Sequence, residues 1–253
     1  MIETSANERE LTHEIKKATE EIRQSRYPQA RVVFLAGSLI RGEGTSTSDL
    51  DLVILFERIP SAYRESFIHD RWPVEAFVHD PQTLEYFFRE VDRPTGFPSL
   101  PTMVNEGIEL PEASDFSRSL KRLASAVLDE GPPKWSEQDL SNSRYAITDL
   151  IDDLREPRST PEMHATATLL YSILANHYFR SKGLWSAKGK ALPRRMNAID
   201  ASLAARFLNS FEKLFKENCV TAVIGLAEDI LAPDGGFLFD GYNLKAPETW
   251  RIR

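Results

Sequence analysis

The feature that most constrains this chain is a Gly-Ser pair followed, ten residues later, by an Asp-Leu-Asp triplet. Gly37 and Ser38 end one apolar run, while Asp49 and Asp51 open another, residues 50–56. Side chains two residues apart on a strand point to the same face, so the two aspartates should converge. Paired carboxylates are unfavourable unless a cation or a proton neutralises them. The pattern therefore predicts two buried strands with a cation site where they meet.

The residue types also indicate which cation and which ligand would bind. Mg²⁺ prefers oxygen ligands and is usually held by one or two carboxylates together with substrate phosphates. We expect the backbone amides and the hydroxyl of the Gly37-Ser38 corner to contact phosphate oxygens at the N-terminus of a following helix. These residues together indicate phosphate chemistry on a nucleotide.

This arrangement resembles the nucleotidyltransferase superfamily of DNA polymerase beta-like proteins, and most closely its antibiotic (aminoglycoside and streptomycin) adenylyltransferase branch. The resemblance covers roughly residues 30–80, including the spacer 39–48. It implies that Asp49 and Asp51 are catalytic metal ligands and that a third carboxylate follows on a later strand. Glu75, within the apolar segment 72–79, is our candidate for that third ligand or for the general base. The alternatives are Glu43, Asp80 and Glu85.

The resemblance further implies a set of nucleotide-binding residues. Lys188 and Lys190 belong to a segment with four cations in eight residues, 188–195, which suits a triphosphate in an otherwise acidic chain. The alternative is a solvated basic loop. The predicted nucleotide contacts are Gly37, Ser38, Arg41, Ser48, Lys188 and Lys190.

The implied reaction moves a nucleoside monophosphate from an NTP, which we expect to be ATP, to an acceptor hydroxyl. It would use two Mg²⁺ ions, with Mn²⁺ as a substitute. We expect a small acceptor resembling an aminoglycoside. The alternatives are a protein hydroxyl (AMPylation), an RNA 3′ end, a toxin–antitoxin component, and a non-catalytic nucleotide-binding module.

Composition narrows these possibilities. The net charge of −7 argues against a general nucleic-acid binder, which would present a basic face. Cys219 is the single cysteine, which excludes an internal disulfide and fits a reducing compartment. The first ten residues lack the layout of a secretory signal, and no apolar run approaches the ~20 residues of a membrane helix. We therefore expect a cytoplasmic protein that does not engage membranes.

Hydrophobic periodicity predicts two domains joined at Gly131-Pro132-Pro133. The first, residues 1–130, should be α/β (α+β) with a short mixed sheet, and the second, 134–253, should be all-helical. The resemblance implies that the first is the catalytic domain and that the second binds nucleotide and acceptor. Residues 60–70 are predicted to be a connector, helical in part. The predicted strands are 31–36, 50–56 and 73–78; the predicted helices are 8–24, 81–91, 102–106, 113–129, 136–154, 161–182, 192–207 and 204–231.

Overall fold

The computed structural model describes residues 6–45 and 47–251, with side chains from residue 13 onward. The chain packs as two compact units, Met1–Gly131 and Pro132–Arg253. Gly131 ends the last helix of the first unit at φ +72°, a left-handed value that glycine adopts without strain. No helix of the described part of the chain has the length and apolarity to cross a membrane.

Within the described residues, the first unit is built on a mixed sheet of five strands in the order β3-β4-β2-β1-β5. The central strand β2 pairs in parallel with β4 and antiparallel with β1. The outer strands β3 and β5 pair antiparallel with β4 and β1. The strands are β1 (Val32–Ala36), β2 (Leu50–Leu55), β3 (Tyr63–His69), β4 (Trp72–His79) and β5 (Ile108–Leu110). This sheet, followed by a helical unit, confirms the predicted fold class.

Helices cover both faces of the sheet, and the alternation of side chains decides which residues face which helix. On one face, Leu52 and Ile54 of β2 pack with Ile15 and Ile22 of α1. On the other face, Val53 of β2 packs in a cluster with residues of three later helices, among them Leu84, Leu100 and Leu120. The helices are α1 (Ala6–Arg26), α2 (Pro81–Tyr86), α3 (Arg93–Thr95), α4 (Ser99–Glu106) and α5 (Asp115–Glu130). Because Asp51 and Val53 share parity, Asp51 lies on the face opposite α1.

Three expectations for the first unit need correction. The predicted connector 60–70 contains β3, an edge strand whose side chains alternate between exposed and half-buried; its polar, exposed face hides the strand pattern. The predicted helix 81–91 changes after Tyr86 into a π-helical segment, Phe87–Asp92. The short strand β5 was not predicted.

The second unit is helical throughout its regular structure in the described residues. Its core brings together aromatic and aliphatic side chains such as Phe179, Phe207 and Phe211. The helices are α6 (Glu137–Arg155), α7 (Thr160–Ser181), α8 (Ala191–Ile199), α9 (Ala201–Glu217) and α10 (Thr221–Leu231). The two helices predicted over 192–231 are in fact three, because Asp200 caps the start of α9 and Asn218, at φ +56°, ends it.

Candidate functional site

The two aspartates lie at the start of the central strand. Asp49 precedes β2 and Asp51 is its second residue, and both side chains are half-buried. Asp51 is paired across the sheet with Ala36 on one side and with Glu75 on the other. This pairing puts the end of β1, with its Gly37-Ser38 corner, directly beside the carboxylate of Asp51.

Glu75 joins the aspartates because β2 and β4 run in parallel. Its register partner is Asp51, so the two side chains leave the same sheet face. One carboxylate oxygen from each of Asp49, Asp51 and Glu75 lies within 4.8 Å of the other two. All three donors are hard oxygens, the set that Mg²⁺ and Mn²⁺ prefer, so the residues fit the predicted divalent cation.

The three alternative carboxylates are engaged elsewhere. Asp80 caps α2, accepting hydrogen bonds from the backbone N–H groups of Thr83 (2.8 Å) and Ile59 (3.2 Å). Burial opposes the ionised form of Asp80, but these hydrogen bonds outweigh it and lower its pKa. Glu85 pairs with Arg89 at 3.0 Å, and Glu43 with Arg41 at 3.1 Å. None of the three belongs to the cluster around Asp51.

Gly37 allows the close approach of β1 to Asp51. Its φ is +85°, and a Cβ atom built there would lie 2.0 Å from Oδ2 of Asp51. A side chain at this position would occupy the space of the carboxylate, in a backbone conformation that L-residues rarely adopt. Glycine is therefore required both by the backbone and by its neighbour.

The segment after Gly37 corrects one expectation. Residues 38–42 form turns, with the N–H of Glu43 donating to the carbonyl of Ser38 at 2.9 Å, and no helix begins there. Ser38 is buried, and its hydroxyl donates to Ser48 Oγ at 3.3 Å. Ser48 Oγ also accepts the N–H of Thr45 at 2.8 Å. The hydroxyls of Ser38 and Ser48 thus link the two ends of the loop, and turns take the place of the expected helix N-terminus.

The predicted cationic residues lie in two different places. Arg41 belongs to the loop between β1 and β2, where its guanidinium pairs with Glu43 and, at 3.5 Å, with Glu106. Lys188 and Lys190 are exposed residues of the second unit, in the loop that precedes α8. Their contact with phosphate stays a prediction.

Arg64 is a neighbour of the cluster that sequence reasoning missed. It lies on β3, and its guanidinium donates to Glu75 Oε1 at 2.6 Å while stacking over Phe77, 4.9 Å from the ring centroid. An Arg-x-Ser-x-Ile alternation at positions 64–68 was the available signal, but it points to the site only once β3 is recognised as a strand. Arg64 thus pairs with the third carboxylate and partly offsets the negative charge of the cluster.

A shallow cleft of about 320 Å³ adjoins the cluster. Asp49 and Glu75 form its acidic end, and β3 and the start of β4 supply the remainder. Ile68, two-thirds exposed, gives it an apolar wall. The full lining is Asp49, Ser66, Phe67, Ile68, Pro73, Val74 and Glu75. The cleft has room for part of a small molecule next to the carboxylates.

Comparison with known proteins bears on this site. Residues 14–88 match the model of the nucleotidyltransferase domain family. This match supports the nucleotidyltransferase superfamily. The matched segment contains Gly37, Asp49, Asp51 and Glu75, and it supports nucleotidyl transfer in general.

Among solved structures, the chain is similar to a nucleotidyltransferase-like protein from Exiguobacterium sibiricum, known from a 1.90 Å crystal structure. The two are 16% identical over 87% of this chain and 75% of that chain, with a TM-score of 0.44. The search of curated proteins yielded no match. The antibiotic adenylyltransferase branch stays a prediction.

Proposed function

We propose that this protein is a Mg²⁺-dependent nucleotidyltransferase that moves AMP from ATP to a hydroxyl of a small, aminoglycoside-like acceptor. One observation carries the proposal: one carboxylate oxygen from each of Asp49, Asp51 and Glu75 lies within 4.8 Å of the other two, beside a glycine that leaves no room for a side chain. The family match over residues 14–88 supports the reaction class. The single cysteine fits the cytoplasm as the place of reaction.

Asp49, Asp51 and Glu75 would hold the metal. Two bound Mg²⁺ ions would stabilise the attacking and leaving oxygens of an in-line displacement. Because three carboxylates would repel a triphosphate, nucleotide binding would require cations that offset their charge.

The protein's own groups would orient the reactants. Turn amides after Gly37 and the hydroxyls of Ser38 and Ser48 would contact the phosphates, and Arg41 would offset the charge of departing pyrophosphate after exchanging its carboxylate partners. Lys188 and Lys190 are proposed to help offset the charge of the pyrophosphate. Glu75 is proposed as the third metal ligand or as the base that accepts the acceptor proton at a carboxylate oxygen.

The negative charge of the cleft and of the whole chain favours a small cationic acceptor. The cleft beside Asp49 and Glu75 has an acidic end, which suits a cationic molecule. The net charge of −7 works against an RNA acceptor. Transfer of AMP to protein alone would instead identify a protein hydroxyl as the acceptor.

The test uses ATP labelled on its α-phosphate with Mg²⁺, first against a panel of aminoglycosides and related antibiotics and then against cell lysate. We expect label on a small acceptor, and we expect Asp49→Asn and Asp51→Asn to abolish transfer with unchanged circular dichroism. Asp129→Asn, which changes an exposed acid of the same unit, is the matched control. Full transfer by either site variant would refute the mechanism. Label on lysate protein or RNA would move the assignment to that acceptor.

A further inference from the structure

A second group of metal-binding side chains lies at the tip of the hairpin formed by β3 and β4. Glu21 of α1, His69 at the end of β3, and Asp70 in the turn each offer a ligand atom, and these atoms lie within 4.8 Å of one another. Along β3, His69 has the opposite parity to Arg64, which contacts Glu75. His69 therefore faces α1, on the other side of the sheet from the Asp51 cluster.

One ring nitrogen of His69, Nε2, is shielded from solvent, yet it has no hydrogen-bond partner among the described residues. The nearest carboxylate oxygen, Oε2 of Glu21, is 3.6 Å away, beyond hydrogen-bond distance. Leaving such a ring nitrogen unpaired is unfavourable, whereas a cation bound between it and the carboxylates would satisfy all three groups.

Among the described residues, the cationic side chains nearest this group do not take the place of a metal ion. The ammonium of Lys17 is 3.9 Å from the other oxygen of Glu21, but its side chain is 71% exposed; a pair this exposed contributes little. The guanidinium of Arg71, next in sequence to Asp70, binds Glu14 and stacks over Trp72.

We propose that Glu21, His69 and Asp70 form a second divalent-cation site that takes a transition metal, with Zn²⁺ as the representative ion. An imidazole with two carboxylates suits Zn²⁺ and Co²⁺, whereas Mg²⁺ prefers oxygen ligands alone. Three protein ligands leave a fourth position for water. The bound ion joins α1 to the hairpin whose second strand carries Glu75, and so fixes the strand that supplies the third carboxylate.

The test is Co²⁺ and Zn²⁺ titration of the untagged full chain carrying Asp49→Asn and Asp51→Asn, so that the first cluster no longer contributes. We expect one equivalent of Co²⁺ with visible absorption bands, displaced by Zn²⁺ but not by excess Mg²⁺, and a Zn²⁺-dependent rise in Tm. Adding His69→Gln should weaken Zn²⁺ binding at least tenfold and remove the Tm rise. His13→Gln, an exposed histidine on the same helix as Glu21, should change neither.

Glu21→Gln provides an independent variant on an exposed helical position, where misfolding is not expected; circular dichroism verifies the fold of each protein. Loss of the Zn²⁺ effect in both the His69 and the Glu21 variants supports the site. Absence of binding in the parent, or binding that survives either substitution, overturns it. Since these readouts do not involve nucleotidyl transfer, they are independent of whether the proposed function holds.

Discussion

Substitution of Gly37 by alanine tests the geometry of the carboxylate site most directly. The new Cβ would lie 2.0 Å from Oδ2 of Asp51, whereas such contacts in real proteins stay beyond 3.0 Å. The carboxylate must therefore withdraw by about 1 Å, or the β1 corner must move by the same amount. Mg²⁺ requires oxygen ligands at about 2.0–2.1 Å in near-octahedral geometry, so a displacement of this size breaks the contact.

Two effects of different kind follow from Gly37→Ala, one on folding and one on metal binding. Placing alanine at φ +85° costs about 1–2 kcal/mol of folding free energy, whatever the surroundings. Disturbing the support of a metal ligand lowers metal affinity by about 10–100-fold, equivalent to about 1.4–2.8 kcal/mol of binding free energy. The first effect should appear in unfolding experiments and the second in metal binding.

Gly183 supplies the matched control. Its φ is +69°, but a Cβ atom there meets nothing within 4 Å. Gly183→Ala should lose similar stability in urea unfolding, yet bind Mn²⁺ with a non-hydrolysable ATP analogue as the unaltered protein does, measured by electron paramagnetic resonance. Unchanged Mn²⁺ affinity in Gly37→Ala would refute the steric reasoning, as would an equal loss of affinity in Gly183→Ala.

Three further predictions concern neighbouring groups. Burial lowers the pKa of His79 to about 4, against an opposing effect of Asp80, while its unfolded value is about 6.5. The neutral ring therefore contributes stability that is fully present above pH 6.5 and is lost as the pH falls to about 4. This loss amounts to at most about 3 kcal/mol, and urea unfolding of His79→Leu between these pH values should show a flatter dependence. Arg64→Gln should change stability by less than about 1 kcal/mol, since the pair with Glu75 is partly exposed, but should tighten Mn²⁺ binding a few-fold by removing a nearby positive charge; weaker binding would contradict this. Ser136→Ala should cost about 1 kcal/mol in urea unfolding, because Ser136 Oγ accepts the N–H of Asp139 at the start of α6; no change would mean that the cap is dispensable.

Local periodicity was enough to predict the centre of the first unit. Asp49 and Asp51 open an apolar run long enough to identify β2, and parity alone indicates that they share a face. Glu75 could be chosen among four acids because its apolar neighbours form a strand pattern, and the register of β4 against β2 puts it opposite Asp51.

The features that sequence reasoning missed depend on pairing or on backbone conformation. The edge strand β3 has an exposed, polar face and so lacks an apolar signature, and the contact of Arg64 with Glu75 exists only through the β3–β4 register. The helix expected after Gly37-Ser38 is replaced by turns, in which Gly42 adopts φ +70°. Asp200, a good N-cap residue, marks the division between α8 and α9, although the predicted helix 192–207 runs across it.

The parallel pairing of β2 with β4 determines which changes in chain length this protein can tolerate. Extra residues in the exposed link between β2 and β3, around Glu57 and Arg58, would lengthen a loop at small entropic cost and leave the register intact. One residue inserted between Pro73 and Glu75 would instead turn the Glu75 side chain towards α1 and remove it from Asp51. Natural variation in length among related chains should therefore accumulate in that link and be excluded from the three residues preceding the third carboxylate.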